Sequence, residues 1–292
     1  QQKLFKKDKI KIGIPSSFSI KECPSYITSA WSNAATQLQQ LGSSTADDKN
    51  DTASTDITIQ TISEQQLPSK FIQYSLPAYY VLACAEASSN LSRYDGIRYG
   101  CTSSTLITKE EEKVVSEYFA EMTPFETQIS STRVSNFGSE VIRRILCGTA
   151  VLSSNRFHTF YEGAATLRAL LTKQLKEVVF QDGKEGVDFL LLPTSISLPP
   201  TIIGDEENEE EIAKVDATEA FANDVMTVPI SLAGLPSISI PVPFFGEEEE
   251  EVSKAKSMGI TSVGMQLVGP KGSEKTLLAI GKLMEQSLDR KG

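Results

Sequence analysis

The sequence predicts an α/β fold in which a mixed, largely parallel sheet is flanked by helices. Short runs of alternating or uniformly apolar residues recur along the chain, and longer segments with helical periodicity separate them. The first elements follow the order strand, helix, strand, which favours a right-handed crossover onto a parallel sheet. Farther along, Phe189–Leu192 is uniformly apolar and ends at Pro193. Such a run is typical of a strand that is buried on both faces.

The N-terminal elements are the clearest. Residues 9–14 alternate charged and β-branched side chains up to Pro15, which predicts a strand. A helix should begin at Pro24 and end at Gly42, because Pro favours a first turn and Gly a helix end. Residues 57–62 alternate again and predict a second strand, after a polar surface insertion at residues 43–56. The inner face of the helix would carry Ile27, Trp31, Ala34, Leu38 and Leu41.

The rest of the chain continues the alternation of helices and strands. Helices are expected from after Pro77 to near Arg93, and over residues 108–122, 139–154, 157–179 and 274–288. Strands are expected over residues 189–193, 237–242 and 259–268. No internal repeat or boundary stands out, so residues 1–292 are predicted to be the C-terminal part of a single domain. The closing helix would bury Leu277, Leu278, Ile280 or Gly281, and Met284.

Composition limits the possible functions. The net charge of −10 argues against a broad nucleic-acid surface, which would be basic. The acidic runs Asp205–Glu211 and Glu247–Glu251 are typical of solvated loops. No apolar run approaches the roughly 20 residues that span a bilayer. Because the chain begins at Gln1, without an initiator Met or a signal peptide, we expect an interior fragment of a longer protein.

Cysteine and histidine give little support for metal chemistry. The four cysteines lack metal-ligand spacing, so no metal site is expected, and their apolar or helical contexts predict buried free thiols in a reducing compartment. The single histidine, His158, is more consistent with a helix surface or a packed position than with catalysis.

Three polar features leave alternatives open. An apolar segment that begins at Tyr79 runs into a cluster of charged and aromatic residues around Arg93 and Asp95, which forms either a satisfied ion network or a site. Arg143 and Arg144 interrupt an apolar helix, and adjacent helical residues point about 100° apart. One of them should turn inward, either to an ion pair with Glu140 or a distant Asp, or to a substrate carboxylate.

The third feature is Asp224, which follows Asn223 and precedes an apolar segment punctuated by Gly and Pro. At such a place an Asp most often caps a turn. It could also bind the ammonium group of a substrate, because a carboxylate pairs well with a cation in a pocket. These residues alone do not decide between the two roles.

Several collinear segments resemble one family, the A subunits of glutamyl-tRNA(Gln) amidotransferases, within the amidase-signature hydrolases. They are residues 79–100, residues 137–154 with the run Gly138-Ser139-Glu140, Leu192-Pro193-Thr194, residues 223–236, and residues 264–269. The resemblance implies the amidase-signature fold and a glutaminase subunit that releases ammonia from glutamine. In the family a tyrosine, an arginine and an aspartate hold glutamine, and they match Tyr79, Arg144 and Asp224 here.

The resemblance also implies partners and a missing part. A B subunit would use ATP and Mg²⁺ to activate glutamate on misacylated tRNA(Gln), a small accessory subunit would complete the complex, and this chain would hold no cofactor. The family's Lys–Ser–Ser triad lies upstream of the matched region, so this chain would lack a nucleophile and be inactive alone. The insertions favour a mitochondrial matrix protein over a cytoplasmic one. The alternatives are another amidase-signature hydrolase and a non-catalytic split or degenerate scaffold subunit.

Overall fold

The computed structural model describes residues 9–44, 56–101, 123–181, 183, 185–199, 222–244 and 250–289. The chain forms two compact units. Unit 1 comprises Gln1–Leu76 and Leu167–Gly292, and unit 2 comprises Pro77–Thr166. That all 292 residues belong to a single domain stays a prediction.

The described helices are of ordinary length, apart from one short helix. They are α1 Ser25–Ser44, α2 Ser69–Leu91, α3 Pro124–Asn136, α4 Ser139–Leu152, α5 Glu162–Gln174, α6 Val228–Ala233, α7 Glu250–Ser257 and α8 Glu274–Asp289. The described strands all lie in unit 1, and they are β1 Lys9–Pro15, β2 Asp56–Ile62, β3 Phe189–Pro193, β4 Ser237–Pro243 and β5 Ser262–Val268.

These strands form one sheet in the order β2-β1-β3-β5-β4. Strand β1 pairs in parallel with β2 and with β3. Strand β5 pairs antiparallel with β3 and with β4. Four strands therefore point in one direction and β5 points in the other, which confirms a mixed, largely parallel sheet flanked by helices.

The core of unit 1 is built around β3 and α1. Every residue of β3 is buried, as its uniform apolarity predicts. The indole Nε1 of Trp31 on α1 donates a hydrogen bond to the Leu191 carbonyl, with 3.0 Å between them. Helix α8 packs against β4 and buries Leu277, Ile280 and Met284. The prediction that Leu278 is also buried was wrong, since that side chain is 62% exposed.

Two helix boundaries differ from their predictions. Helix α1 continues past Gly42 to Ser44, so Gly42 does not end the helix. A glycine stands here because a Cβ at this position would clash with the Ile57 backbone. Helix α2 begins at Ser69, well before Pro77. The Glu64 carboxylate accepts hydrogen bonds from the backbone N–H and the hydroxyl of Ser69 at this end, 2.7 Å each. Pro77 is tolerated inside the helix at an exposed position.

Some elements escaped prediction. Helix α3 begins with a capping box, in which Thr123 and Glu126 each accept a hydrogen bond from the other's backbone N–H. Helix α7 includes Glu250 and Glu251, so the end of the second acidic run is helical, not a loop.

The predicted helix over residues 157–179 is confirmed, with π-helical turns at residues 157–161 and 175–179. The predicted helix at residues 108–122 and the first acidic run lie outside the described residues.

Candidate functional site

In unit 1 a cavity of about 610 Å³ lies where the parallel strands end. Ser16 follows β1, Glu64 lies just beyond β2, and Ile196 lies just beyond β3. Ligands of open α/β sheets bind outside the carboxyl ends of the strands, so this is the expected edge for a site. The lining residues are Ser16, Ser17, Ser19, Ile20, Lys21, Glu22, Glu64, Ser69, Ile72, Gln73, Leu76, Ile196, Ala222 and Val225.

The cavity is rich in hydroxyl groups. The Ser17 side chain is buried, and its Oγ has no hydrogen-bond partner among the described residues. The hydrogen bond from the Ser69 backbone N–H lowers the pKa of the Glu64 carboxyl, which keeps it ionised. The lining combines hydroxyls, one lysine and two carboxylates with the apolar side chains of Ile20, Ile72, Leu76, Ile196, Ala222 and Val225. Sequence reasoning missed this cavity, although its signal was the run of serines directly after β1.

Asp224 lies beside this cavity, in a single helical turn over Asn223–Val225. Its neighbours Ala222 and Val225 line the cavity. Asn223 anchors the turn, because its Oδ1 accepts from the Ile196 N–H at 3.1 Å and its Nδ2 donates to the Ser197 Oγ at 2.8 Å. Asp224 is therefore held, half-buried, at the carboxyl end of β3.

The buried side chain of Gln266 stabilises the same edge of the sheet. Gln266 on β5 is 3% exposed, and its Nε2 donates to the carbonyls of Pro193 and Met226, at 3.0 and 2.9 Å. These bonds tie the end of β3 to the residues that follow Asp224. Neither Asn223 nor Gln266 was predicted as a positioning residue, although both lie in the segments that carry the family resemblance.

In unit 2, Tyr79 and Arg144 lie on two different helices, α2 and α4. The Tyr79 ring is half-buried and packs edge-on against Tyr80, with centroids 5.3 Å apart. The two helices touch at Gly148, where a Cβ would clash with the Cys84 carbonyl and lie 2.7 Å from the Ser88 Cβ. The Ser88 and Thr149 hydroxyls are 3.1 Å apart beside this contact.

Glu140 holds both arginines of α4. The Arg143 Nη1 lies 2.8 Å from the Glu140 Oε2, and the Arg144 Nε lies 3.3 Å from the Glu140 Oε1. The Arg144 side chain is 43% exposed against 63% for Arg143, so Arg144 is the one that turns inward. Its Nε contacts Glu140 without the alignment of a hydrogen bond and has no hydrogen-bond partner among the described residues.

The cluster around Asp95 is a structural network. The Asp95 carboxylate accepts from the backbone N–H groups of Ile97, Arg98 and Tyr99 and from the Arg98 Nε. The hydrogen bond from Ile97 leads the contacts that hold the pKa of the Asp95 carboxyl far below its usual range. Arg133 on α3 binds the Ser92 and Tyr94 carbonyls. Of the two interpretations of this cluster, the structure favours the satisfied network.

The structure also locates the minor candidates. His158 is exposed, with its Nδ1 3.0 Å from the Glu162 Oε2, as a helix-surface histidine should be. The prediction of buried thiols was wrong for Cys101 and Cys147, which are exposed, whereas Cys84 is buried and Cys23 half-buried. No group of three or more potential metal ligands occurs in the part of the chain that the structure describes. Nor does any described helix have the length and apolarity to cross a membrane.

The three predicted glutamine-binding residues are thus divided between the units, with Tyr79 and Arg144 in unit 2 and Asp224 in unit 1. None of the three is fully buried. Their convergence on one pocket stays a prediction.

Comparison with known proteins decides the family. A family model described as Amidase matches residues 1–278. The chain belongs to the amidase family. The A subunit of the mitochondrial glutamyl-tRNA(Gln) amidotransferase of Ajellomyces capsulatus is 32% identical over 305 residues, covering 94% of this chain and 51% of the relative. The A subunit of the glutamyl-tRNA(Gln) amidotransferase of Bradyrhizobium diazoefficiens is 31% identical over 281 residues, covering 96% of this chain and 45% of the relative.

These relatives confirm the resemblance to amidotransferase A subunits. The chain spans about half the length of the curated relatives it matches. Among solved structures, a bacterial aryl acylamidase of the amidase signature family superposes with a TM-score of 0.55. It is 13% identical, and the match covers 98% of this chain and 45% of that one. At this identity the likeness concerns the fold alone, and it confirms the amidase-signature fold.

Proposed function

We propose that this chain is part of a glutaminase subunit of a tRNA-dependent amidotransferase. The subunit would release ammonia from glutamine, and the ammonia would convert Glu-tRNA(Gln) to Gln-tRNA(Gln). The similarity to amidotransferase A subunits along nearly the whole chain supports this function. A glutaminase must also bind a zwitterion, and the chain offers one cation and one anion at the matching positions.

The main structural support for the proposal is the incomplete pairing of the Arg144 side chain. It shares the single carboxylate of Glu140 with Arg143, its buried Nε has no aligned acceptor among the described residues, and the side chain as a whole is 43% exposed. A guanidinium that is half-exposed and incompletely paired can bind a second carboxylate in the planar, two-pronged geometry that arginine favours. In this role Arg144 would bind the α-carboxylate of glutamine.

The other two residues complete the binding of glutamine. Asp224 would pair with the α-ammonium group, from a turn that Asn223 anchors at the carboxyl end of β3. Tyr79 would offer its hydroxyl. These contacts engage groups of glutamine that do not react, so they supply binding and orientation while the side-chain amide undergoes hydrolysis.

In this proposal, the remaining steps of the reaction are carried out by a preceding part of the subunit and by other subunits. The nucleophile would come from a Lys–Ser–Ser triad in a preceding part of the subunit, and this chain alone would be inactive. ATP and Mg²⁺ would act on a B subunit, which would also hold most of the tRNA, and a small accessory subunit would join them. A mitochondrial relative supports a matrix location, although a bacterial relative is equally similar.

A second candidate is hydrolysis of another amide, since the family model that matches residues 1–278 is that of amidases in general. The preferred substrate distinguishes glutaminase activity from hydrolysis of another amide. The full-length subunit in its complex should release ammonia from glutamine far faster than from an uncharged aryl or alkyl amide, and this chain alone should release none. Faster turnover of the uncharged amide would contradict the glutaminase assignment, and loss of all amide turnover in the full-length complex would favour a non-catalytic scaffold.

A further inference from the structure

Two cysteines in unit 2 lie on two helices, close to a point where the helices touch. Cys84 is on α2, and Cys147 precedes Gly148 on α4. The Gly148 backbone approaches the Cys84 carbonyl so closely that no Cβ would fit. A disulfide needs Cα atoms about 4.4–6.8 Å apart, a separation that only backbones in contact can provide.

Cys147 directly precedes Gly148, so its backbone lies beside the contact with Cys84. Glu140, Arg144 and Cys147 follow one another at i, i+4 and i+7, which places them on one face of the helix. The charges of all three act on the Cys84 thiol, which indicates that this side of α4 lies near it. Burial is the largest cause that raises the pKa of Cys84, and a negative charge on Cys147 raises it further.

The two thiols differ in access to solvent. Cys84 is buried and Cys147 is exposed. A buried thiol with a raised pKa is a poor first nucleophile, whereas an exposed one can meet a small oxidant. Such a pair has the arrangement of a peroxide-reactive cysteine backed by a second cysteine that resolves it.

We propose that Cys84 and Cys147 are a redox modification site that forms an intramolecular disulfide on reaction with a hydroperoxide. The Cys147 thiolate attacks the peroxide oxygen and becomes a sulfenic acid, releasing water when hydrogen peroxide is the oxidant. The Cys84 sulfur then attacks the sulfenic sulfur, an S–S bond forms, and the hydroxyl leaves as a second water. Two thiols are oxidised, and one peroxide is reduced to two waters.

The disulfide would link the two helices that carry Tyr79 and Arg144. Their relative position would then be fixed, and glutamine binding would change with the redox state. This consequence rests on the proposed function, but the disulfide itself does not. Its formation can therefore be tested by thiol chemistry that is independent of any glutamine assay.

The test treats the reduced protein with hydrogen peroxide and counts free thiols after denaturation. The four thiols should fall to two, the mass should fall by two hydrogen atoms, and peptide mapping should find Cys84 joined to Cys147. The variants Cys84→Ser and Cys147→Ser should each abolish this cross-link. The matched control Cys23→Ser should keep it and go from three thiols to one.

A bifunctional thiol reagent gives a second measurement under reducing conditions. Dibromobimane should bridge the two cysteines within one molecule, and either Ser variant should remove the bridged peptide. The proposal is overturned if peroxide leaves Cys84 reduced while Cys147 is oxidised to the sulfinic acid, or if Cys147 pairs only between molecules. If the disulfide forms but glutamine use is unchanged, the modification site stands and only its link to the proposed function fails.

Discussion

Arg144 and Glu140 form an ion pair one helical turn apart on α4, with 3.3 Å between the Arg144 Nε and the Glu140 Oε1. Arg143 contacts the other oxygen of the same carboxylate. One carboxylate thus neutralises only part of the charge of two arginines.

The ion pair itself should matter little for binding. Side-chain exposure of 43% and 44% makes this a surface pair, and such pairs contribute about 0–1 kcal/mol. Glu140→Gln, in the full-length complex, should therefore change the KM for glutamine by less than about fivefold. Steady-state glutaminase kinetics would check this. A much larger rise in KM would mean that Glu140 is needed to orient Arg144.

Gln266 should be important for stability. Gln266→Leu would leave the buried carbonyls of Pro193 and Met226 without their donor, at a cost of roughly 2–4 kcal/mol in the free energy of unfolding. Urea denaturation would measure it. Gln286→Leu, at an exposed position on α8, is the matched control and should stay within about 0.5 kcal/mol of the parent. Equal effects of the two substitutions would contradict this role.

Asp95 should make the free energy of unfolding depend on pH under acidic conditions. Its pKa is depressed in the folded state, so its contribution is complete above the ordinary value of about 3.9 and is lost as pH falls towards the folded pKa. The parent should therefore lose stability below about pH 4 more steeply than Asp95→Asn. Urea midpoints measured between neutral and acid pH would show the difference.

Arg98→Gln is the matched control for Asp95. The hydrogen bond from the Arg98 side chain is the smallest of the causes that lower the pKa of Asp95, and the backbone N–H donors remain in this variant. Most of the pH dependence should therefore persist. If Asp95→Asn and the parent lost stability in parallel on acidification, the network around Asp95 would not be the cause.

The strands could be predicted because their patterns are local. Alternation in β1 and β2 and uniform apolarity in β3 depend on which faces of the sheet are buried, and that shows directly in sequence. The start of α2 could not be predicted the same way. Pro is typical of a helix start, yet α2 runs through Pro77, which lies at an exposed position inside the helix.

The candidate site was predictable only in part. Arg144 and Asp224 stand out as charged residues beside apolar segments, but only the family resemblance predicts their roles and that of Tyr79. Asn223 and Gln266 escaped because each acts through hydrogen bonds to residues distant in sequence. The exposure of Cys147 escaped for a related reason. An apolar helix predicts burial, but the residue of α4 whose backbone meets α2 is Gly148, and Cys147 beside it stays exposed.

The most direct test of the glutamine-binding role compares two nitrogen sources in the full-length amidotransferase. Arg144→Ala should raise the KM for glutamine by roughly 10- to 150-fold, the value of a lost hydrogen bond to a charged group of about 1.5–3 kcal/mol. Free ammonia needs no glutamine-binding residue, so ammonia-supported amidation of Glu-tRNA(Gln) should stay near the parent rate. Arg143→Ala, at the neighbouring exposed arginine, should leave both activities near the parent. Equal loss of glutamine- and ammonia-supported amidation in Arg144→Ala would contradict the account and make Arg144 a structural residue.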